Sequence, residues 1–349
     1  MENHKFRSKI VRLGKKLYFC ATNSTIMEKI KHLKQLFDDF LSKTDLTGNP
    51  KGLYEPIAYT LLQSGKRIRP MFCLLANDLF GGDEKNALWS ALALETVHNS
   101  TLIHDDIMDQ APLRRGRETV YKKWNLNQAS LSGDVALVMT YDFATHSTHP
   151  TEIVNLLCHA LLQVCEGQQM DLEFETQPVV TIPEYMEMIR MKTAVLLAVS
   201  LQIGATVAEA KKADIQHIYD FGIALGMSFQ LQDDILDLYS DVEVFGKRHG
   251  GDIVDNKKTY LYLKAMELAD EKDRNRLTQL FSMNIDHDEE EKIEEVKAIY
   301  DRLHVKEAAE TVMAEYDKKA YEALDAIDLP NERKVHLRTY AELLSGRKK

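Results

Sequence analysis

The chain has 349 residues, 44% of them hydrophobic, and a formal net charge of −10. That length suffices for one large domain or two ordinary ones, and that hydrophobic share supports a real core. The negative balance argues against general nucleic-acid binding, and no uninterrupted apolar run reaches the ~18 residues of a membrane span.

Along the chain, Lys5, Arg7, Lys9, Arg12, Lys15 and Lys16 precede a short apolar stretch, Leu17 to Ala21. That stretch is too short for a signal-peptide core. Residues 1–26 are therefore set apart as a basic, poorly ordered extension before a single domain at 27–349. From Met27, apolar residues at Ile30, Leu33, Leu36, Phe37 and Phe40 keep the helical period. Gly48-Asn49-Pro50 breaks it, and Leu53 to Leu62 resumes it. A basic joint, Gly65-Lys66-Arg67-Ile68-Arg69-Pro70, leads into a helix ending at Phe80 before Gly81-Gly82. Asp83 is a candidate N-cap for the long helix that follows. Ala111 to Gly116 reads as loop. Helical patterns then occupy 127–146, 151–175, 182–204 and 210–240, followed by a polar, Gly-rich loop at 241–258. Further helices are expected at 259–282, 288–325 and 331–346. Alternating β-branched runs are nearly absent, so the expected fold is all-α, a bundle of ten or more helices around a central cavity. The four cysteines, Cys20, Cys73, Cys158 and Cys165, form no C-x-x-C pair. They read as reduced, structural thiols of a cytoplasmic protein.

The long helix ends in His104-Asp105-Asp106-Ile107-Met108-Asp109. Helical spacing puts His98, Thr101, Asp105 and Asp109 on one stripe, with Asp106 beside it. Like charges at that spacing repel unless cations lie between them. Oxygen donors without thiolates suit Mg²⁺, which is commonly shared with substrate phosphates. One such motif is weak evidence, since a solvated helix end looks the same. Here it recurs as Asp233-Asp234-Ile235-Leu236-Asp237. Basic residues accompany both motifs: Lys66 and Arg69, Arg114 and Arg115, Lys192, and Lys247 and Lys257 around Gly250-Gly251-Asp252. Singly, each is ordinary surface charge. Lys192 stands out because it interrupts an apolar helix, where a lysine needs an anionic partner. Asp171, in Gly167-Gln168-Gln169-Met170-Asp171, is equally readable as an exposed helix end.

Taken in order, GKRIRP at 65–70, HNSTLIHDDIMD at 98–109, LRRG at 113–116, GQQMD at 167–171, KT at 192–193, FQLQDDILD at 229–237 and GKRHGGDIVDNKKT at 246–259 resemble the trans-isoprenyl diphosphate synthases, the polyprenyl synthetase family. The resemblance implies the isoprenoid synthase fold, with two aspartate motifs facing across a deep cavity, and a homodimer. It implies that Asp105, Asp109, Asp171, Asp233 and Asp237 hold three Mg²⁺ ions, supported by Asp106 and Asp234. It implies that Arg114, Gln168, Lys192, Thr193, Gln230, Lys247 and Lys257 bind an allylic diphosphate, and that Lys66, Arg69, His98 and Arg115 bind isopentenyl diphosphate. One departure is Asn256, where the family commonly has Gly before the last lysine. In short-chain members an aromatic often lies four or five residues before the first aspartate; here Thr101 and Ser100 are small and Val97 lies one turn further. The expected product is therefore a C20 or longer trans-polyprenyl diphosphate with C15 as an intermediate, the alternative being a farnesyl (C15) diphosphate synthase. Rival readings are a terpene cyclase, which would carry a different second metal motif, and a non-catalytic synthase subunit, which would have lost an aspartate motif.

Overall fold

The computed structural model describes residues 24–240, 249–282 and 288–346, so residues 1–23 and Lys247 lie outside the described residues. Helix α1 covers residues 24–43, beginning three residues before the stretch that sequence periodicity marks. α2 (Lys51–Leu61), α3 (Ile68–Phe80) and α4 (Leu88–Met108) follow. α3 stops at Gly81, whose φ of +81° closes the helix with bonds from Gly81 and Gly82 back to Asp78 and Asn77. Asp83 then accepts from the Lys85 backbone N–H at 2.9 Å, capping the short 3₁₀ turn that leads into α4.

Beyond α4 the expected loop holds a small antiparallel hairpin, β1 (Leu113–Arg114) with β2 (Arg117–Glu118). Its two-residue turn, Arg115-Gly116, has φ values of +54° and +73°. Positive φ at both positions matches the twist of paired strands, and Gly116 adopts it without penalty. Four-residue α5 (Val120–Lys123) precedes α6 (Leu126–Thr145), α7 (Pro150–Thr176), α8 (Ile182–Ile189), α9 (Val195–Val207) and α10 (Lys212–Tyr239). The expected single helix at 182–204 is therefore interrupted. Between α8 and α9, Arg190–Ala194 form a π-helical turn.

The chain continues through α11 (Gly251–Val254), α12 (Tyr260–Leu268), α13 (Glu271–Leu280), α14 (Glu289–Arg302), α15 (Val305–Ala326) and α16 (Asn331–Ser345). Two long helices expected from periodicity are thus each divided. Asp270 caps α13 by accepting from Asp273 N–H, and His304 takes a left-handed φ of +55° between α14 and α15. Both breaks leave the apolar period nearly in phase, so periodicity alone does not register them.

α9 is the axis of the bundle. Every residue of it except Gln202 is buried, which is why it reads as apolar all round rather than striped. α3, α7 and α10 pack around it. Glycines set how closely they come. A Cβ at Gly204 would collide with the Cys73 carbonyl of α3, and one at Gly226 on α10 would sit 2.6 Å from the Ala194 Cα. Ile182–Val207 is long and apolar enough by composition to cross a membrane, but 72% of its apolar window is buried inside the protein. One core cluster joins α1–α4, α6, α7, α9, α10, α15 and α16; a second joins α8, the later half of α10 and α11–α15. Gly204→Ala should therefore force α3 and α9 apart, costing about 1–3 kcal/mol. A lowered chemical-denaturation midpoint, read by circular dichroism, checks it.

Candidate functional site

Helix geometry orients the two acidic motifs in the same way. Asp105 and Asp233 are half-buried and line a common cavity of about 620 Å³, together with Asp109 and Asp237. The adjacent Asp106 and Asp234 lie about 100° further around their helices, as the α-helical repeat requires, and both are buried. Asp106 accepts from Arg114 Nε at 2.6 Å. Asp234 accepts from the Tyr185 hydroxyl at 2.5 Å and from Gln230 Nε2 at 3.1 Å. Burial pushes the Asp106 carboxyl up to about 6, although Arg114 opposes the shift. Burial and the neighbouring Asp252 push Asp234 up to about 8. The second aspartate of each motif is thus held by protein partners; Asp106 lies off the cavity, whereas Asp234 reaches the cavity wall beside Asp233.

Asp105 shows the mutual repulsion expected of the stripe. Burial raises its pKa, Asp109 and Asp171 add to the rise, and Lys192 works against it. Lys192 finds the anionic partner that its apolar surroundings demand. Its Nζ donates to Asp171 Oδ2 at 2.5 Å. The π-helical turn presents Lys192 and Thr193, and Gly167 permits the close approach: a Cβ there would be 2.5 Å from the Lys192 backbone nitrogen. Thr193 donates to Gln230 Oε1 at 3.0 Å, linking the turn to α10. Gln168 lines the cavity from α7.

Asp252 also reaches this cavity, and sequence reading passed over it. Its backbone N–H donates to Asp237 Oδ2 at 3.0 Å, and Gly250 N–H donates to the Asp237 carbonyl. The second motif therefore holds the loop that carries Lys257. Burial disfavours charge on Lys257, yet Asp252, Asp109 and Asp171 outweigh it and raise its pKa. Asn256, just before Lys257, has φ +57°. That explains the family's preference for Gly there and why Asn, which tolerates the left-handed region, replaces it. Lys292 secures the turn by donating to Asn256 Oδ1 at 2.6 Å.

Lys66, Arg69, His98 and Arg115 come together in an adjoining cavity of about 600 Å³, with Arg67 and Arg117. Glu95 is the only acidic side chain among the described residues that line it. Burial and the surrounding Arg69, Arg115, Arg114 and Arg67 hold the His98 pKa well below its ordinary value, so the ring is neutral. Burial lowers Arg69 to about 10, with Glu95 opposing the shift. Arg67 takes φ +52° at the head of α3, a strain of order 1–3 kcal/mol for a residue with a Cβ. The hairpin directs neighbouring arginines apart, Arg114 to the carboxylates and Arg115 to the basic cavity.

Of the three residues expected to set chain length, Thr101 lines the larger cavity. Ser100 does not: its hydroxyl donates to the Gly133 carbonyl of α6 at 2.9 Å. Val97 is fully buried in the main core. The correction follows from the 100° step between neighbours, which turns residue 100 toward α6 when residue 101 faces α7 and α9. Cys165 is likewise no core thiol, being exposed on the cavity wall. Around it the wall is apolar, with Leu102, Val164, Leu172 and Leu196.

Among the described residues, no compact group of three or more His, Cys, Asp or Glu could hold a metal ion alone. The donors are carboxylates divided between two walls. Such a set fits Mg²⁺, which takes one or two carboxylates and fills its octahedron with water and substrate phosphate.

The Polyprenyl synthetase family matches residues 50–303. The chain is 33% identical to a short chain isoprenyl diphosphate synthase of Methanothermobacter thermautotrophicus, over 89% of this chain and 95% of the relative. It is 34% identical to a geranylgeranyl pyrophosphate synthase of Geoglobus acetivorans, over 87% and 93%. A crystal structure of a geranylgeranyl pyrophosphate synthase superposes with a TM-score of 0.87 at 40% identity, covering 92% of this chain and 99% of the other. Family match, relatives and architecture agree with the paired carboxylate walls: the chain belongs to the polyprenyl synthetase family and is a prenyltransferase.

Proposed function

We propose that the enzyme joins isopentenyl diphosphate head-to-tail to an allylic diphosphate, giving a trans-prenyl diphosphate of C20 or longer. The observation that carries this reading is the juxtaposition of two unlike cavities. One has two carboxylate walls bridged by Lys192 and Lys257 above apolar side chains. The other is basic with a single carboxylate. The first suits a diphosphate that departs, the second a diphosphate that stays.

Asp105, Asp109, Asp171, Asp233 and Asp237 would hold three Mg²⁺ ions, with Asp252 at the same rim. Bound there, the metal supplies charge stabilisation to the leaving diphosphate. Arg114, Gln168, Lys192, Thr193, Gln230 and Lys257 orient the allylic diphosphate. As its C–O bond breaks, the electron pair leaves with the diphosphate and the cations meet the developing charge. Lys66, Arg69, Arg115 and neutral His98 hold the isopentenyl diphosphate so that its double bond attacks the allylic carbocation. One C–C bond forms, and the released diphosphate takes the proton that is lost. Leu102, Val164, Leu172 and Leu196 exclude water from the cation. Lys247 is assigned with the allylic group by its motif alone.

The names of relatives, among them a geranylgeranyl diphosphate synthase of Sulfolobus acidocaldarius, favour a C20 product, as does the small Thr101 on the cavity wall. A homodimer is supported by exposed Leu131 and Val138, seven residues apart on one face of α6, and Leu162 on neighbouring α7. The unpaired thiols of Cys73, Cys158 and Cys165 fit a reducing, cytoplasmic compartment.

Incubation with isopentenyl diphosphate and an allylic primer should consume both and yield C20 or longer products, and EDTA should abolish turnover. Asp105→Ala should cost orders of magnitude in kcat with helical circular dichroism intact. Asp106→Asn should cost at least tenfold less, because Asp106 acts through Arg114. Comparable losses would contradict the separation of inward and anchoring aspartates. For length, Thr101→Phe should shorten the product on chromatography. Ser100→Phe should instead lower stability by pressing on α6, and a shorter product from it alone would refute this wall. Light scattering should give twice the chain mass; a fully active monomer would dismiss the dimer.

A further inference from the structure

The basic cavity contains a feature that diphosphate binding alone does not explain. Glu95 is buried at 2% exposure among Lys66, Arg67, Arg69, Arg115 and Arg117. A carboxylate there opposes the anion the cavity is built to hold. Arg67, for its part, is a buried arginine in a left-handed backbone conformation where glycine would be unstrained.

The two anomalies answer each other. Arg67 Nη1 donates to Glu95 Oε1 at 2.6 Å. Its Nη2 donates to the carbonyls of Leu61 and Gln63 at 2.8 and 2.7 Å, at the end of α2. Asp38 of α1 lies 3.4 Å from its Nε. From the other side, Asn99 Nδ2 donates to the Glu95 carbonyl at 2.8 Å and to its side chain at 3.3 Å. A single guanidinium thereby joins α1, the end of α2, the head of α3 and the middle of α4. The groups that line the cavity ride on those pieces. Lys66 and Arg69 flank Arg67 in sequence, and His98 lies three residues after Glu95 on the same helix face.

We infer that the buried Arg67–Glu95 pair is a positioning element that sets the basic cavity for isopentenyl diphosphate, and that neither residue acts by touching the substrate. This inference rests on the function proposed above and deepens it. The left-handed turn at Arg67 points Lys66 and Arg69 into one space. The guanidinium keeps the turn in place, which accounts for an arginine where glycine would be strain-free. Removing Arg67 leaves the buried Glu95 carboxylate without its guanidinium, and neutralising Glu95 leaves Arg67 only the more distant Asp38 as a charged partner.

Coulomb's law gives the test a sign. If Glu95 acted only through its field, Glu95→Gln would make the cavity more positive and lower the KM for isopentenyl diphosphate. If it positions Arg67, the same variant raises that KM. In the full-length enzyme with Mg²⁺, Glu95→Gln and Arg67→Gly should each raise the KM for isopentenyl diphosphate tenfold or more. The KM for the allylic diphosphate should stay within about twofold. Arg67→Gly permits the positive φ and removes the side chain with its guanidinium, and Arg67→Lys, which keeps the methylenes and a charge, should fall between glycine and wild type. Circular dichroism identifies a variant that fails to fold, and the isosteric Glu95→Gln then decides. A lowered or unchanged KM for isopentenyl diphosphate in Glu95→Gln would overturn the inference, as would equal rises for both substrates. Failure of the wild-type enzyme to consume isopentenyl diphosphate would overturn the functional reading, and this inference with it.

Discussion

Repulsion between carboxylates is the constraint around which the structure is arranged. Two helices deliver aspartates into one cavity, Asp252 joins them there, and Asp171 lies in an adjoining pocket that shares Lys192, Lys257 and Asp252 with it. In this partly desolvated space burial raises the pKa of Asp105, and the charges of Asp109 and Asp171 add to the rise. The fold tolerates them because it places cations within the same space: Lys192 directly on Asp171, and Lys257 among Asp252, Asp109 and Asp171. Local structure follows from that placement. The π-helical turn exists where Lys192 must enter an otherwise apolar column, a setting in which such bulges recur at functional sites. α9 then carries the apolar load beneath it.

The same constraint explains why the second aspartate of each motif is anchored by protein partners, Asp106 off the cavity and Asp234 at its wall. A helix cannot direct adjacent residues the same way, so the second carboxylate must find partners within the protein. Asp106 fixes Arg114 and with it the hairpin. Asp234 ties Tyr185 of α8 to Gln230 of α10. These contacts hold surrounding elements in register with the inward aspartates. The DDxxD pattern thereby encodes both the charges and part of the scaffold that aims them.

Much of this was legible in the sequence, because helical periodicity and paired carboxylates are local signals. The positions of α4, α7 and α10 and the partner need of Lys192 follow from residue type and spacing, whereas the grouping of Lys66, Arg69, His98 and Arg115 came only from the family resemblance. What escaped reading depends on tertiary contact. Tyr185 looks like any core aromatic until Asp234 faces it. Glu95 sits in an apolar helix with no mark of its partner 28 residues away. Ser100 and Thr101 are both small, and only the packing of Gly133 against α4 turns one toward α6 and the other toward the cavity. The breaks at His304 and within 190–194 left the apolar period almost undisturbed.

The two cavities also answer a chemical asymmetry. Head-to-tail condensation uses two diphosphates, only one of which must leave. A leaving diphosphate gains charge at the oxygen of the breaking C–O bond, and divalent cations held by the aspartates would supply charge stabilisation there. Carboxylate walls are suited to recruit such cations. The other diphosphate should be held without being activated, since ionising it would destroy the nucleophile. Arginines suit that task, as fixed forks matched to phosphate oxygens. A neutral His98 suits it too, because it donates a hydrogen bond without adding charge. The substrates themselves fix which one is the electrophile, since only the allylic diphosphate ionises to a resonance-stabilised cation; under the proposed function, the separation of carboxylate-rich from arginine-rich space would match each diphosphate head to that role.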